Sequence, residues 1–83
     1  MIATQLEWKR AYRTASGSRT WESRCGCYQV HAQELCYGVE LRPVWYLAFY
    51  RRQGWNRVGG RYRTRQRAEQ ACQQHANRRR ATP

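Results

Sequence analysis

The clearest pattern of apolar and polar positions lies in residues 44–76, and its first part predicts a β-hairpin. Residues 44–50 are the most apolar run of the chain and consist mainly of aromatic and aliphatic side chains, which favour a strand. Gln53 and Gly54 can supply the positive φ of a tight turn, and residues 55–63 follow as a second strand. The pattern therefore predicts two antiparallel strands joined by a short turn.

The spacing of apolar positions changes at Thr64 from that of a strand to that of a helix. Thr64 suits the N-cap, because its hydroxyl can accept a hydrogen bond from an amide of the first turn, and Asn77 suits the position after the last helical residue. Residues 78–83 are predicted to form a basic disordered tail, so residues 1–77 make a single domain. We expect the helix to pack through a stripe of small residues: Ala68, Ala71, Cys72 and Ala76.

The N-terminal half of the chain carries weaker strand patterns. Alternation of apolar and charged positions predicts a short strand over residues 6–10, and residues 13–19 are predicted as a polar loop. Residues 20–32 form a second strand region, in which Gly26 marks either a β-bulge or a turn between two shorter strands. Residues 33–42 are predicted as a connection. Together the elements predict an α+β fold, with a small antiparallel sheet of four or five strands and one C-terminal α-helix packed on one face.

The strand over residues 44–52 is apolar on both sides, so one of its two rows should remain partly open. Pro43 cannot donate to a sheet ladder and is expected just before this strand. Trp45, Leu47 and Phe49 form one row, and Val44, Tyr46, Ala48 and Tyr50 form the other. A single helix covers one face of a sheet. We predict that the row containing Tyr46 and Tyr50 is the partly exposed one, or that the preceding connection or the N-terminal arm lies over it.

The charge balance indicates a polyanionic partner. The 83 residues include 16 basic and 5 acidic side chains, for a formal net charge of +11, and 15 of the 16 basic residues are arginine. Guanidinium groups bind phosphate through two parallel hydrogen bonds and stack on bases, which lysine cannot do. Nucleic acid is therefore the favoured partner. The alternative interpretation is an arginine bias of genomic origin in a protein that is merely basic.

The four cysteines are interpreted as buried reduced thiols. Zinc and a disulfide are the alternatives, but structural zinc usually takes ligands in two closely spaced pairs, and a second pair is missing. The candidates for such a site are Cys25, Cys27, Cys36, Cys72, His31 and His75. We therefore predict no metal and no cofactor.

The sequence patterns of catalysis are missing. The five carboxylates are scattered glutamates, and the chain carries neither a glycine-rich phosphate loop nor a nucleophile elbow. We predict a protein that is not an enzyme and has no small-molecule substrate. No run approaches the roughly 20 apolar residues of a membrane span, and the first residues lack the apolar segment of a signal peptide, so a cytoplasmic location without membrane contact is expected.

The second half of the chain resembles a known family of DNA-binding domains. The resemblance is carried by the run from Trp45 to Tyr50, by Trp55 and Arg57, and by Tyr62-Arg63-Thr64 leading to Ala68 and Ala71. This pattern is similar to the sheet and C-terminal helix of AP2-type and integrase arm-binding domains. The same ending resembles many small phage and prophage proteins. The resemblance implies that the exposed sheet face enters the DNA major groove, where Arg and Trp make the contacts.

We expect a non-enzymatic protein that binds DNA or RNA through an arginine-rich and aromatic sheet face. The alternatives are a phage-type protein that inhibits or modulates a host protein complex, and a homodimeric interaction module. The arginines would contact phosphates or base edges, and the aromatic rings would stack on bases. The predicted binding residues are Tyr46, Tyr50, Arg51, Arg52, Trp55, Arg57, Arg61, Arg63, Arg65, Arg78, Arg79 and Arg80.

Overall fold

The computed structural model describes residues 5–13, 19–37 and 39–81, without the side chains of residues 35–37, 40, 41, 43, 44, 80 and 81. Five strands form one antiparallel sheet in the order β1-β2-β3-β4-β5, and one helix follows them. This arrangement confirms the predicted α+β fold. The elements are β1 (Tyr12–Arg13), β2 (Arg19–Glu22), β3 (Tyr28–Tyr37), β4 (Glu40–Arg51), β5 (Trp55–Tyr62) and α1 (Arg65–Ala81).

The turn between β4 and β5 has the predicted chemistry. Gln53 and Gly54 take φ values of 53° and 104°, and Arg51 pairs with Trp55 across the turn. A positive φ is uncommon for a residue other than glycine, so the Gln53 conformation is maintained by the hairpin around it. The turn sets the register of the two strands, which decides which side chains face each other.

The predicted connection over residues 33–42 is wrong, because β3 and β4 stay paired almost to their shared end. Backbone pairing continues from Gln33 opposite Trp45 to Tyr37 opposite Glu40. The register shifts between Gln33 and Glu34, and this irregularity breaks the strict alternation that would have marked a strand in the sequence. Pro43 therefore lies inside β4, at an irregular site of the kind where a missing backbone donor is tolerated.

The N-terminal segment forms less sheet than predicted. Of the strand expected over residues 6–10, one isolated antiparallel pair remains, between Trp8 and Ser23. Leu6 and Trp8 nevertheless pack against the core, as their apolar character predicts. Of the two possibilities at Gly26, the structure has the turn, since β2 ends at Glu22 and β3 begins at Tyr28.

The helix begins as predicted and ends later than predicted. The Arg67 amide donates to Thr64 Oγ1 at 3.1 Å, which confirms the N-cap. The helix continues through Ala81, so the predicted end at Asn77 is wrong. Asn77 Oδ1 instead accepts from Gln73 Nε2 one turn earlier, at 3.0 Å. Arginine and alanine are good helix formers, and cations are favoured in the last turn by the helix dipole.

The core lies between the helix and one face of the sheet. Ala68 and Cys72 of α1 are fully buried and belong to the same cluster as Val30 and Ala48, which pair across β3 and β4. These small side chains let the helix approach the sheet closely, as the stripe in the sequence predicts. No helix of the described residues is long and apolar enough to cross a membrane.

Candidate nucleic-acid interface

The register of the sheet decides which row of β4 lies under the helix. Ala48 is buried beneath α1, and side chains alternate along a strand, so Trp45, Leu47 and Phe49 lie on the opposite face. None of these three side chains is fully buried. We call the sheet face opposite α1 the open face. It carries Trp45, Leu47 and Phe49 of β4, their cross-strand neighbours on β3 and β5, and Arg63.

The prediction that Tyr46 and Tyr50 form the exposed row is therefore wrong. Both rings pack against the core on the helix side, Tyr50 with its centroid 4.7 Å from that of His75, and Tyr46 6.2 Å from Trp21. The physical reason is size complementarity. A helix with a stripe of alanine and cysteine needs one small sheet residue at its closest approach, which is Ala48, and large side chains on either side of it.

Three arginines of the open face stack on its aromatic rings. The Arg61 and Arg63 guanidinium carbons lie 5.4 Å and 5.2 Å from the Trp45 ring centroid, and that of Arg57 lies 5.8 Å from Phe49. These distances are within the range of cation–π attraction. All three arginines are exposed, whereas the rings beneath them are partly covered. The open face therefore presents positive charge supported by an apolar layer.

The irregularity at Gly59 and Gly60 keeps the arginines together. A bulge of one residue there would turn Arg57 away from Arg61 and Arg63. The register instead runs from Phe49 opposite Arg57 to Leu47 opposite Arg61, so β5 has two extra residues where β4 has none. Two extra residues leave the alternation of faces unchanged, and Arg57 stays on the open face.

A polar network occupies the β1–β3 side of the open face. Gln29 Nε2 donates to Glu22 Oε1 at 3.0 Å and to the Tyr12 hydroxyl at 3.2 Å, and its Oε1 lies 2.8 Å from His31 Nε2. His31 in turn packs on Phe49, with ring centroids 4.8 Å apart. The hydrogen bond from Gln29, and secondarily the charge of Lys9, lower the pKa of Glu22. Burial lowers the pKa of His31, so this imidazole is neutral at pH 7.

The predicted binding residues divide between the two faces. Arg51 and Trp55 pair across the turn and share the open face by alternation, and Arg52 is exposed in the turn itself. On the helix side, Arg65 stacks on Trp21 at 5.1 Å and Arg79 on Tyr50 at 4.5 Å. Arg78 is exposed on α1, and the side chain of Arg80 lies outside the described residues.

Sequence reasoning missed Trp45 and Phe49, the rings on which the open-face arginines lie. The structure closes the hairpin with a loop of three residues, 52–54, so that Arg51 pairs with Trp55 and Phe49 lies opposite Arg57. A two-residue turn at Gln53 and Gly54 would have placed Tyr50 opposite Arg57, so the sequence alone did not assign this arginine to the row of Phe49 and Trp45. The two extra residues of β5 at Gly59 and Gly60 could not be predicted from the pattern of residues either.

The cysteines do not match the predicted set of buried thiols. Cys72 is buried, and burial raises its pKa to about 12, but Cys25 is exposed and Cys27 half-buried. The side chain of Cys36 lies outside the described residues. Within the described part of the chain, no three histidine, cysteine or acidic side chains are close enough together to bind a metal ion.

Fold and surface together define a class: a five-stranded antiparallel sheet with one covering helix and a second face of arginines stacked on aromatic rings. Comparison with known proteins adds no relative, since no family model, curated protein or solved structure matches the chain.

Proposed function

We propose that this chain is a non-enzymatic nucleic-acid-binding protein whose open face contacts the phosphate backbone, in a cytoplasmic setting. The observation that carries the proposal is the stacking of Arg61 and Arg63 on Trp45 and of Arg57 on Phe49. A guanidinium held over a ring can still donate to phosphate oxygens from the N–H groups that have no partner. Arg57 Nη2 already donates to the Gly60 carbonyl at 2.9 Å, so this arginine would use its remaining N–H groups. The ring also restricts the arginine rotamers before binding, which lowers the entropy lost when a phosphate is bound.

Charge on the open face supports the same partner. In the described structure Arg61 and Arg63 form no ion pair with a carboxylate, whereas Arg65 on the helix side pairs with Glu69 at 3.2 Å. An arginine without an internal carboxylate partner has its full charge available to an anion. Engaging four phosphates, through Arg51 and the three stacked arginines, gives a log–log salt slope of about −3.6 on duplex DNA and about −2.8 on a single strand.

Trp55 supplies the feature that distinguishes a single strand from a duplex. Its side chain is 40% exposed and lies at the turn end of the open face. Among the contacts of the described residues, no guanidinium lies on this ring. An uncovered indole can stack on an unpaired base, and one such stacking interaction contributes about 1–3 kcal/mol. A single strand would therefore use both Trp55 and the arginines, whereas a duplex would use mainly the arginines.

The test is a salt titration of fluorescence anisotropy with short duplex DNA, single-stranded DNA and RNA. Arg61→Glu should weaken binding of the preferred ligand on the order of tenfold and reduce the salt slope by about one or more. Arg67→Glu is the matched control, since Arg67 is exposed in the first turn of α1, away from the open face, and the charge change is the same. Trp55→Ala should weaken single-strand binding and leave duplex binding nearly unchanged.

Equal losses for Arg61→Glu and Arg67→Glu would contradict the proposal, because they would mean that net charge alone attracts the nucleic acid. Binding that disappears at about 150 mM salt, with no preference among the three ligands, would contradict it as well.

The alternative is a protein partner, either an acidic surface of a host protein complex or a second copy of this chain. The partly covered apolar row of Trp45, Leu47 and Phe49 favours this alternative, because contiguous apolar surface commonly marks association. Light scattering on the free protein measures the second-copy case directly. A dimer that dissociates on Leu47→Glu would identify the open face as a self-association surface.

A further inference from the structure

The loop between β2 and β3 holds two cysteines in a defined turn. Ser23 and Tyr28 close the loop, with the Ser23 amide donating to the Tyr28 carbonyl at 2.9 Å, and the Gly26 amide donates to the Ser23 carbonyl at 2.9 Å. Gly26 has a φ of 77°, in the left-handed region that favours glycine. Cys25 and Cys27 flank this glycine. Residues two apart in a chain have Cα atoms no more than about 7 Å apart, close to the range of about 4.4–6.8 Å seen in disulfides.

The hydrogen bonds of Ser23 indicate that its hydroxyl donates to the Cys25 sulfur. Ser23 is fully buried, and its Oγ accepts from the Tyr28 amide at 3.0 Å. Its hydroxyl proton therefore needs an acceptor, and Cys25 Sγ lies 3.3 Å away. A buried hydroxyl that donates to a sulfur stabilises the thiolate over the thiol. The sulfur itself is on an exposed residue, so external reagents can reach it.

The second cysteine has the opposite protonation state. The Cys27 thiol lies 3.8 Å from the Cys25 carbonyl oxygen, to which it donates, so it carries its proton. Burial and the neighbouring Cys25 sulfur raise the pKa of Cys27 by more than the positive charges of Arg79 and Arg51 lower it. Partial burial of Cys25 is outweighed by hydrogen bonds from Ser23 and Cys27, so the pKa of Cys25 is lowered. One thiol is thus prepared as a nucleophile and its neighbour as a proton-bearing partner.

We propose that Cys25 and Cys27 form a redox-active dithiol that reacts with small-molecule disulfides of the glutathione type. The Cys25 thiolate attacks one sulfur of the external disulfide RS–SR, forming Cys25–S–SR and releasing RS⁻. Cys27 then loses its proton to RS⁻ or to solvent, and its sulfur attacks the Cys25 sulfur, which expels the second RS⁻ to be protonated as RSH. The protein dithiol is oxidised by two electrons, and the external disulfide is reduced to two RSH molecules.

Cys72 provides an internal reference for this reaction. It is fully buried in the helix–sheet core, and its high pKa keeps it in the unreactive thiol form. Modification of Cys72 under the same conditions would report unfolding and not site chemistry. Peptide mapping also resolves Cys36, so that each of the four sulfurs is followed separately in the full chain.

The test is incubation of the reduced full-length protein with oxidised glutathione, followed by acid trapping, intact mass and peptide mapping. The wild type should lose two hydrogens between Cys25 and Cys27 without accumulating an adduct. Cys27→Ser should stop at a stable glutathione adduct on Cys25, whereas Cys25→Ser should accumulate little adduct on Cys27. Alkylation by iodoacetamide at pH 7 should be about tenfold faster at Cys25 than at Cys27.

Ser23→Ala separates the proposed role of the hydroxyl from simple exposure. Its thermal unfolding is measured first, and Cys27→Ser supplies an independent result should Ser23→Ala unfold. In folded Ser23→Ala, the curve of Cys25 alkylation rate against pH should move to higher pH. Equal alkylation rates for the two cysteines, a glutathione adduct that persists in the wild type, or a disulfide that forms with Cys36 instead would each overturn the proposal.

Discussion

Gly59 sets the geometry of the β5 irregularity, and replacing it by alanine should cost much more stability than the same change at Gly60. Gly59 has a φ of 70°, where an alanine is disfavoured by about 1–2 kcal/mol. An added Cβ would also overlap the Tyr62 hydroxyl, with the ring carbon Cζ 3.2 Å away. Tyr62 donates to the Val58 carbonyl at 3.1 Å, and displacing its ring would lose a hydrogen bond that contributes about 1 kcal/mol.

The two terms predict that Gly59→Ala lowers the free energy of unfolding by about 2–3 kcal/mol. For a domain of this size, such a loss lowers Tm by roughly 10–20 °C. Gly60 is the matched control, because it lacks a positive φ and a Cβ there meets nothing within 4 Å. Gly60→Ala should change stability by no more than about 0.5 kcal/mol. Urea unfolding followed by tryptophan fluorescence measures both.

A double-mutant cycle with Tyr62→Phe separates the backbone term from the steric term. Without the hydroxyl, the phenyl ring needs to shift by only a few tenths of an ångström, so Gly59→Ala should cost about 1 kcal/mol less than in the wild type. The reasoning is refuted if Gly60→Ala costs as much as Gly59→Ala, or if the cost at Gly59 is the same with and without the Tyr62 hydroxyl.

Two further predictions concern the helix. Thr64→Ala removes the acceptor of the Arg67 amide and should destabilise the protein by about 0.5–2 kcal/mol in urea unfolding, and a Thr64→Ser variant that loses as much would contradict the capping role. Burial, and then the charges of Arg79 and Arg78, lower the pKa of His75 in the folded protein. The stability that neutral His75 contributes is therefore present above the unfolded-state pKa of about 6.5 and is lost as the pH falls through the lower folded-state pKa. His75→Gln keeps an acceptor for the Tyr28 hydroxyl and should therefore reduce the fall in stability between about pH 7.5 and pH 5.5, and an unchanged fall would exclude His75 as a source.

The elements that could be predicted from the sequence are those specified by local chemistry. Gln53-Gly54 and Thr64 act through their own backbone and side-chain hydrogen-bonding properties, and the structure has the turn and the cap where these residues lie. The β3–β4 pairing was missed for a local reason too. Its bulge between Gln33 and Glu34 places Pro43 inside a strand, where the usual pattern of residues argues against one.

The candidate site was predicted only in part, because it depends on which face the helix covers. The alternation of side chains along β4 places Trp45 and Tyr46 on opposite faces of the sheet. It does not tell which of the two faces the helix covers. The choice is made by the chain path after β5 and by packing, since Ala48 leaves room for Ala68 and Cys72 and the larger row does not. Two of the predicted binding residues, Tyr46 and Tyr50, were therefore assigned to the wrong face.

Arginine content alone overstates the binding surface, because arginines on the two faces have different surroundings. On the helix side, Arg19 and Arg65 lie 5.0 Å and 5.1 Å from the ring of buried Trp21, and Arg65 also pairs with Glu69, so these charges stabilise the rim of the core. On the open face, Arg61 and Arg63 lie on a ring with no helix above it. A genomic bias toward arginine would raise the count on both faces alike. Each face has three arginines on aromatic rings, so the stacking alone does not distinguish the two faces. The open face differs because its three arginines follow one row of a sheet surface that the helix does not cover, and this placement is a stronger basis for proposing nucleic-acid binding than the net charge of +11.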